Sequence, residues 1–154
     1  MARNGQGRIT WVVVADGSKA VIMRNDRVDH DPSLSVLNVE EIDNPPTREQ
    51  SAAPPGRMND GRAGSTRKSA FAETDFHRLT EERFAQDFAA RLNKAAALDS
   101  FDRLLVIAPP KTLGDLRSKY SAELKKKIIA EIDRDLTNHP IPEIERHVAA
   151  AFSA

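Results

Sequence analysis

The residues with the most chemical potential lie between Pro54 and Phe71, in the stretch "PPGRMNDGRAGSTRKSAF". It holds Gly56, Gly61 and Gly64, three of the chain's seven glycines, together with Arg57, Arg62, Arg67 and Lys68. Four cations against the single carboxylate of Asp60 leave a local charge of +3 in a chain whose formal net charge is zero. Arginine forks pair with phosphate oxygens, and glycines let backbone N–H groups approach them. The glycines do not have the G-x-x-x-x-G-K-[ST] spacing of a P-loop, and no aromatic side chain stands in the cluster for base stacking before Phe71. The chemistry left is contact with RNA or another polyanion. Gly56, Arg57, Gly61, Arg62, Gly64, Arg67 and Lys68 are therefore the expected anion-binding residues, set against the plainer alternative of a solvated insert with no ligand.

Carboxylates offer a second chemistry. A metal-dependent nuclease gathers several acids around two Mg²⁺ ions for in-line phosphoryl displacement. Asp16 follows an apolar run, and Glu81 and Glu82 lie further along, but the second apolar run ends "VIAPP" with no acid at its tip. Asp16 beside Gly17 also suits a turn. A nuclease or other hydrolase is thus the alternative function, and no catalytic residue, metal ligand or cofactor is assigned. His30, His77, His139 and His147 show no metal-binding spacing such as H-E-x-x-H. The basic run "ELKKK", Glu123–Lys127, reads as a solvated face with a possible i,i+4 pair, and Trp11 reads as core.

Composition sets the frame. The chain has 154 residues, 40% hydrophobic and 30% charged, which fits one domain over 1–154. Zero net charge makes any anion site a local patch. There is no cysteine, which excludes disulfides and thiolate chemistry. The run Ile9–Ala15 is too short for a signal peptide or a membrane span, so a cytoplasmic protein without a membrane role is expected.

The elements that must position these residues follow from periodicity. "ITWVVVA" is β-branched and strand-like, "ADGSKA" supplies a turn, and "KAVIMRN" is a second strand, together an antiparallel hairpin. Ser35–Ile42 is a third strand with imperfect alternation. Residues 44–73 are rich in proline and glycine and read as a long flexible loop. A long helix then starts at Thr74 or Asp75, with Phe84, Phe88, Leu92 and Ala95 as its stripe and Phe76, Leu79 and Ala96 flanking. Leu104–Ala108 is a continuous apolar run suited to a strand covered on both faces. "KTLGDLRSKY" is a short helix, "SAELKKKIIAEIDRDLT" fits either a helix or a strand, and a last helix begins near Pro142. Three meandering strands followed by alternating helices and strands is the order of a ribonuclease H-like α/β fold with a mixed sheet.

"WVVVADGSKAVIM", "LLVIAPPKTLGDLR" and "EIDRDLTNHPIPEIERHV" together resemble the bacterial family named "protein required for attachment to host cells", over nearly the whole chain. The resemblance implies kinship with the central domain of archaeal and eukaryotic release factors and Pelota-like rescue factors, and with it the order β-β-β-α-β-α-β-α. It also implies that "SAELK" is a short helix and "KKKIIAEIDRD" contains the last strand. In release factors the loop between the third strand and the long helix carries a Gly-Gly-Gln tip that enters the ribosome. The equivalent loop here has one glutamine, Gln50, with no glycine pair before it. Peptidyl-tRNA hydrolysis is therefore not expected, whereas RNA or the ribosome is the implied partner of the 54–71 stretch. The family name itself points to a third possibility, a protein-interaction domain acting indirectly in attachment.

Overall fold

The computed structural model describes residues 8–42 and 63–153, with the backbone alone for 63–74. Strands β1 (Thr10–Ala15) and β2 (Lys19–Asn25) form the expected hairpin, and β3 (Leu34–Glu41) adds antiparallel to β2. Helix α1 (Ala63–Ala97) leads to β4 (Arg103–Ala108), followed by α2 (Pro110–Arg117), α3 (Ala122–Lys127), β5 (Ile128–Asp133) and α4 (Ile141–Ser153). The sheet order is β3-β2-β1-β4-β5, with β4 parallel to both β1 and β5. This is the ribonuclease H-like mixed sheet that the element order predicts. The segment that fitted either helix or strand contains both. Ser121 caps α3 by accepting a hydrogen bond from the Leu124 N–H, and the chain turns extended at Ile128.

The interiors of the two innermost strands, Val12–Ala15 and Leu104–Ala108, are apolar at every position because both faces of the sheet are covered. On one face Val13, Ala20, Leu104 and Val106 pack against Ala85, Phe88, Leu92 and Ala96 of α1, Leu116 of α2 and Leu124 of α3. On the other, Val12, Val14, Met23, Leu105 and Ile107 pack against Ile144 and Val148 of α4. Each fully buried side chain of this size contributes about 1.5–3 kcal/mol relative to exposure. Trp11 stacks at a tilt on Phe101, ring centroids 4.7 Å apart, which keeps it with the core as its sequence context suggests. Glu145 of α4 accepts a hydrogen bond from the Leu34 N–H at 2.8 Å and so ties the last helix to the edge strand β3.

Two expectations need correction. The long helix begins at Ala63 rather than at Thr74 or Asp75, so residues 63–73 of the expected 44–73 loop are its first turns. Prolines stop at Pro55, and Ala63, Arg67, Lys68, Ala70, Ala72 and Glu73 are good helix formers, with Gly64, the least favourable position, confined to the first turn. Residues 43–62 lie outside the described residues. Phe76 and Leu79, expected to flank the buried stripe, are 55% and 57% exposed. Helix α1 has run past the end of the sheet there, so no core faces them.

Candidate functional site

The end of the sheet where β1 and β4 stop is built on Asp16. Its Oδ1 accepts hydrogen bonds from the backbone N–H groups of Ser18 and Lys19, both at 2.8 Å, which shapes the β1–β2 turn. Its Oδ2 accepts one from the Thr137 hydroxyl at 2.7 Å, and that hydroxyl also lies 3.1 Å from Asp135 Oδ1. The turn role read for Asp16 is therefore what the geometry shows. Glu81 of α1 comes down onto the same turn, against Gly17. The structure does bring two of the three carboxylates named for a nuclease to one place. Asp16, however, spends both oxygens on the fold, and β4 ends in Ala108 and Pro109 with no acid. Among the described residues no group of three or more histidine, aspartate and glutamate side chains is placed to hold a metal ion.

The Glu81–Gly17 contact also fixes the course of α1. Helix residues before Glu81 continue beyond the sheet for about 27 Å, at 1.5 Å per residue back to Ala63. Of the sequence-predicted anion-binding residues, Gly64, Arg67 and Lys68 fall in the first turns of this projecting helix. Gly56, Arg57, Gly61 and Arg62 lie outside the described residues.

The second basic run keeps the solvated face read for it and departs from its sequence reading only in the i,i+4 pair. Lys127 does not pair with Glu123. Its ammonium donates to Asp99 Oδ1 at 2.9 Å and to the Phe101 carbonyl at 3.1 Å, so it closes the α1–β4 connection onto α3. Lys125 and Lys126 are exposed. Nearby, the half-buried Tyr120 packs against the core beside Glu131 and Arg117. Burial first, and then the Glu131 carboxylate, push its phenol well above the ordinary tyrosine value, with Arg117 opposing.

Sequence reasoning missed one cluster. Arg103 Nη1 and Nη2 donate to the two carboxylate oxygens of Asp29 at 3.1 and 2.6 Å, and its Nε donates to Thr10 Oγ1 at 3.0 Å. Asp29 belongs to the β2–β3 turn and Arg103 opens β4, so this pair anchors the turn at the end of the sheet opposite Asp16. Nothing in the local pattern around either residue announces it.

Comparison with known proteins adds kinship to this geometry. A 50-residue segment, 32% of the chain, is 40% identical to an uncharacterized protein of Rickettsia prowazekii (strain Madrid E), of which it covers 33%. The chain thus matches about a third of that relative's length. The host-attachment name is carried by neither match. Residues 9–148 match the model of bacterial archaeo-eukaryotic release factor family 12, which takes in every strand of the sheet and all but the last five residues of α4. With a release-factor-like element order and a long helix following β3, the chain belongs to bacterial archaeo-eukaryotic release factor family 12.

Proposed function

We propose that this protein is a non-enzymatic module that binds RNA or the ribosome through the basic stretch 54–71. The observation that carries the reading is the course of α1. In a family named for release factors, this helix runs about 27 Å past the sheet and bears Gly64, Arg67 and Lys68 in its first turns. Basic residues on the first turns of a helix that continues beyond the sheet suit contact with a large partner ahead of the globular body. The Gly-Gly-Gln tip of release factors has no counterpart in 44–73, so the proposed role is contact rather than hydrolysis.

Binding to purified ribosomes and to single-stranded RNA, measured over a salt series, tests this. Each phosphate neutralised on a single strand contributes roughly 0.7 to the slope of log K against log salt. Replacing Arg57, Arg62 and Arg67 with alanine is expected to lower that slope by about 2 and to weaken binding at low salt. Absence of binding at low salt, or an unchanged slope in the triple variant, rejects the proposal.

A further inference from the structure

The opposite end of the sheet, where β1 and β4 start side by side with Thr10 paired to Arg103, carries an open cleft of about 500 Å³. Arg8, Arg27, Arg103 and His30 line it. These residues come from three separate parts of the chain and are assembled by three separate devices. Arg8 is set at the start of β1 by a reciprocal pair of hydrogen bonds, Ile9 N–H to Asp102 Oδ2 and Asp102 N–H to the Ile9 carbonyl, each 2.8 Å. Arg27 and His30 project from the β2–β3 turn. Asn25 shapes that turn, its Oδ1 accepting from the N–H groups of Arg27 at 3.1 Å and Ser33 at 2.9 Å. Arg103 is the fixed wall, locked by Asp29 and Thr10 with its guanidinium 5.1 Å from the Phe152 ring centroid.

The four cationic or ionisable groups are not equally committed. Arg103 is mostly buried and bidentate, so its charge is largely answered. Arg27 pairs with Asp31 across the surface, with the two side chains 60% and 61% exposed. A pair so open to water is weakly held and competes poorly with a new anion. Arg8 and His30 make no ion pair or side-chain hydrogen bond among the described residues. The cleft is open, and among the described residues that line it Val28 is the one apolar side chain and Asp29, held by Arg103, the one carboxylate. It therefore suits a compact, strongly charged group at its floor rather than an apolar body.

We propose that this cleft is a phosphate-binding site in which the guanidinium groups of Arg8 and Arg27 clamp phosphate oxygens, His30 donates a further hydrogen bond, and Arg103 forms the wall. Guanidinium forks match tetrahedral oxyanions with paired, charge-assisted hydrogen bonds. The phosphate belongs either to an RNA backbone or to a free phosphate ester. In the first case the cleft is a second contact of the RNA-binding reading and rests on it; in the second it stands apart.

The test follows ¹H–¹⁵N spectra of the full chain titrated with inorganic phosphate and, separately, with a short single-stranded RNA. Saturable shifts are expected at the amides of 25–31 and at the Nε–H groups of Arg8 and Arg27. The R8A/R27A variant is expected to weaken binding at least about tenfold, with the rest of its spectrum unchanged because both side chains are exposed. Response to RNA alone identifies a nucleic-acid backbone as the source, and comparable response to inorganic phosphate identifies a free phosphate. Absence of saturable shifts with both probes overturns the proposal, as do shifts that R8A/R27A leaves intact. The stretch 54–71 is unaltered in this variant. RNA binding lost in the Arg57, Arg62 and Arg67 variant yet unaffected by R8A/R27A, with no phosphate response, rejects this site and leaves the RNA-binding reading in place.

Discussion

The Glu81 carboxyl group occupies the space that a side chain at Gly17 would fill. A Cβ built on Gly17 comes 2.7 Å from Glu81 Cδ, closer than real atoms pack, and 3.0 Å from its Oε2. The tip of the β1–β2 hairpin and the middle of α1 are thereby in register, and this contact marks where the helix leaves the sheet.

Gly17→Ala is expected to cost little, about 0.5–1 kcal/mol, because the obstacle is the far end of a flexible side chain that can swing aside. Removing the obstacle with Glu81→Ala should recover most of that loss, giving a coupling of similar size in a double-mutant cycle by urea unfolding. If the alanine at 17 costs the same with and without Glu81, the contact does not set the requirement for glycine.

Asp16→Ala should lower stability by about 1–2 kcal/mol, since it removes the acceptor for two backbone N–H groups and for the Thr137 hydroxyl. Asp16→Asn keeps an oxygen for the turn and should lose less. Thermal unfolding with and without Mg²⁺ separates the turn role from a metal role. Equal melting temperatures with and without the ion are expected for wild type and variants alike, and stabilisation of wild type that Asp16→Ala abolishes would revive the nuclease reading.

Arg103→Lys replaces a planar fork by a point charge and cannot reproduce the bidentate pairing with Asp29 together with the bond to Thr10. With the arginine side chain 18% exposed and the aspartate 42%, solvent screening keeps the expected loss near 1–2 kcal/mol. Hydrogen exchange should locate the loosening in the β2–β3 turn. Unaltered protection over residues 26–33 argues against an anchoring role.

Tyr120 is the chain's single tyrosine, so phenolate absorbance reads it alone. Its midpoint in the folded protein should lie well above the ordinary value of 10.0, because burial disfavours the anion. The folded pKa exceeds the unfolded one, so the associated stability is fully present below pH of about 10 and declines as pH rises toward the folded value. Tyr120→Phe should flatten that alkaline decline. A phenol titrating near its ordinary value in the native protein contradicts the assignment.

Much of this molecule is legible in local pattern. Val12–Val14 and Leu104–Ala108 announce strands because a strand covered on both faces needs no polar alternation. Phe88 and Leu92 announce a helix because burial on one face of a 3.6-residue period repeats every three to four positions. The order of these elements is enough to reach the ribonuclease H-like sheet. The imperfect alternation of the third strand is equally legible as a symptom, and its cause is tertiary. The register passes from Ile22–Asn38 to Met23–Val36, leaving Leu37 unpaired in a bulge, so Val36 and Val39 both oppose residues of the same face, Met23 and Val21.

Sequence by itself determined which residues are apolar, at what period, and where charge accumulates along the chain. Only the tertiary structure decided that Asp16 serves the fold, that Glu81 meets Gly17, and that Arg103 meets Asp29 across 74 positions. The reason is physical. A side chain's period records the face it must bury, whereas the partner of a polar group depends on which distant elements the packed sheet carries to the same edge.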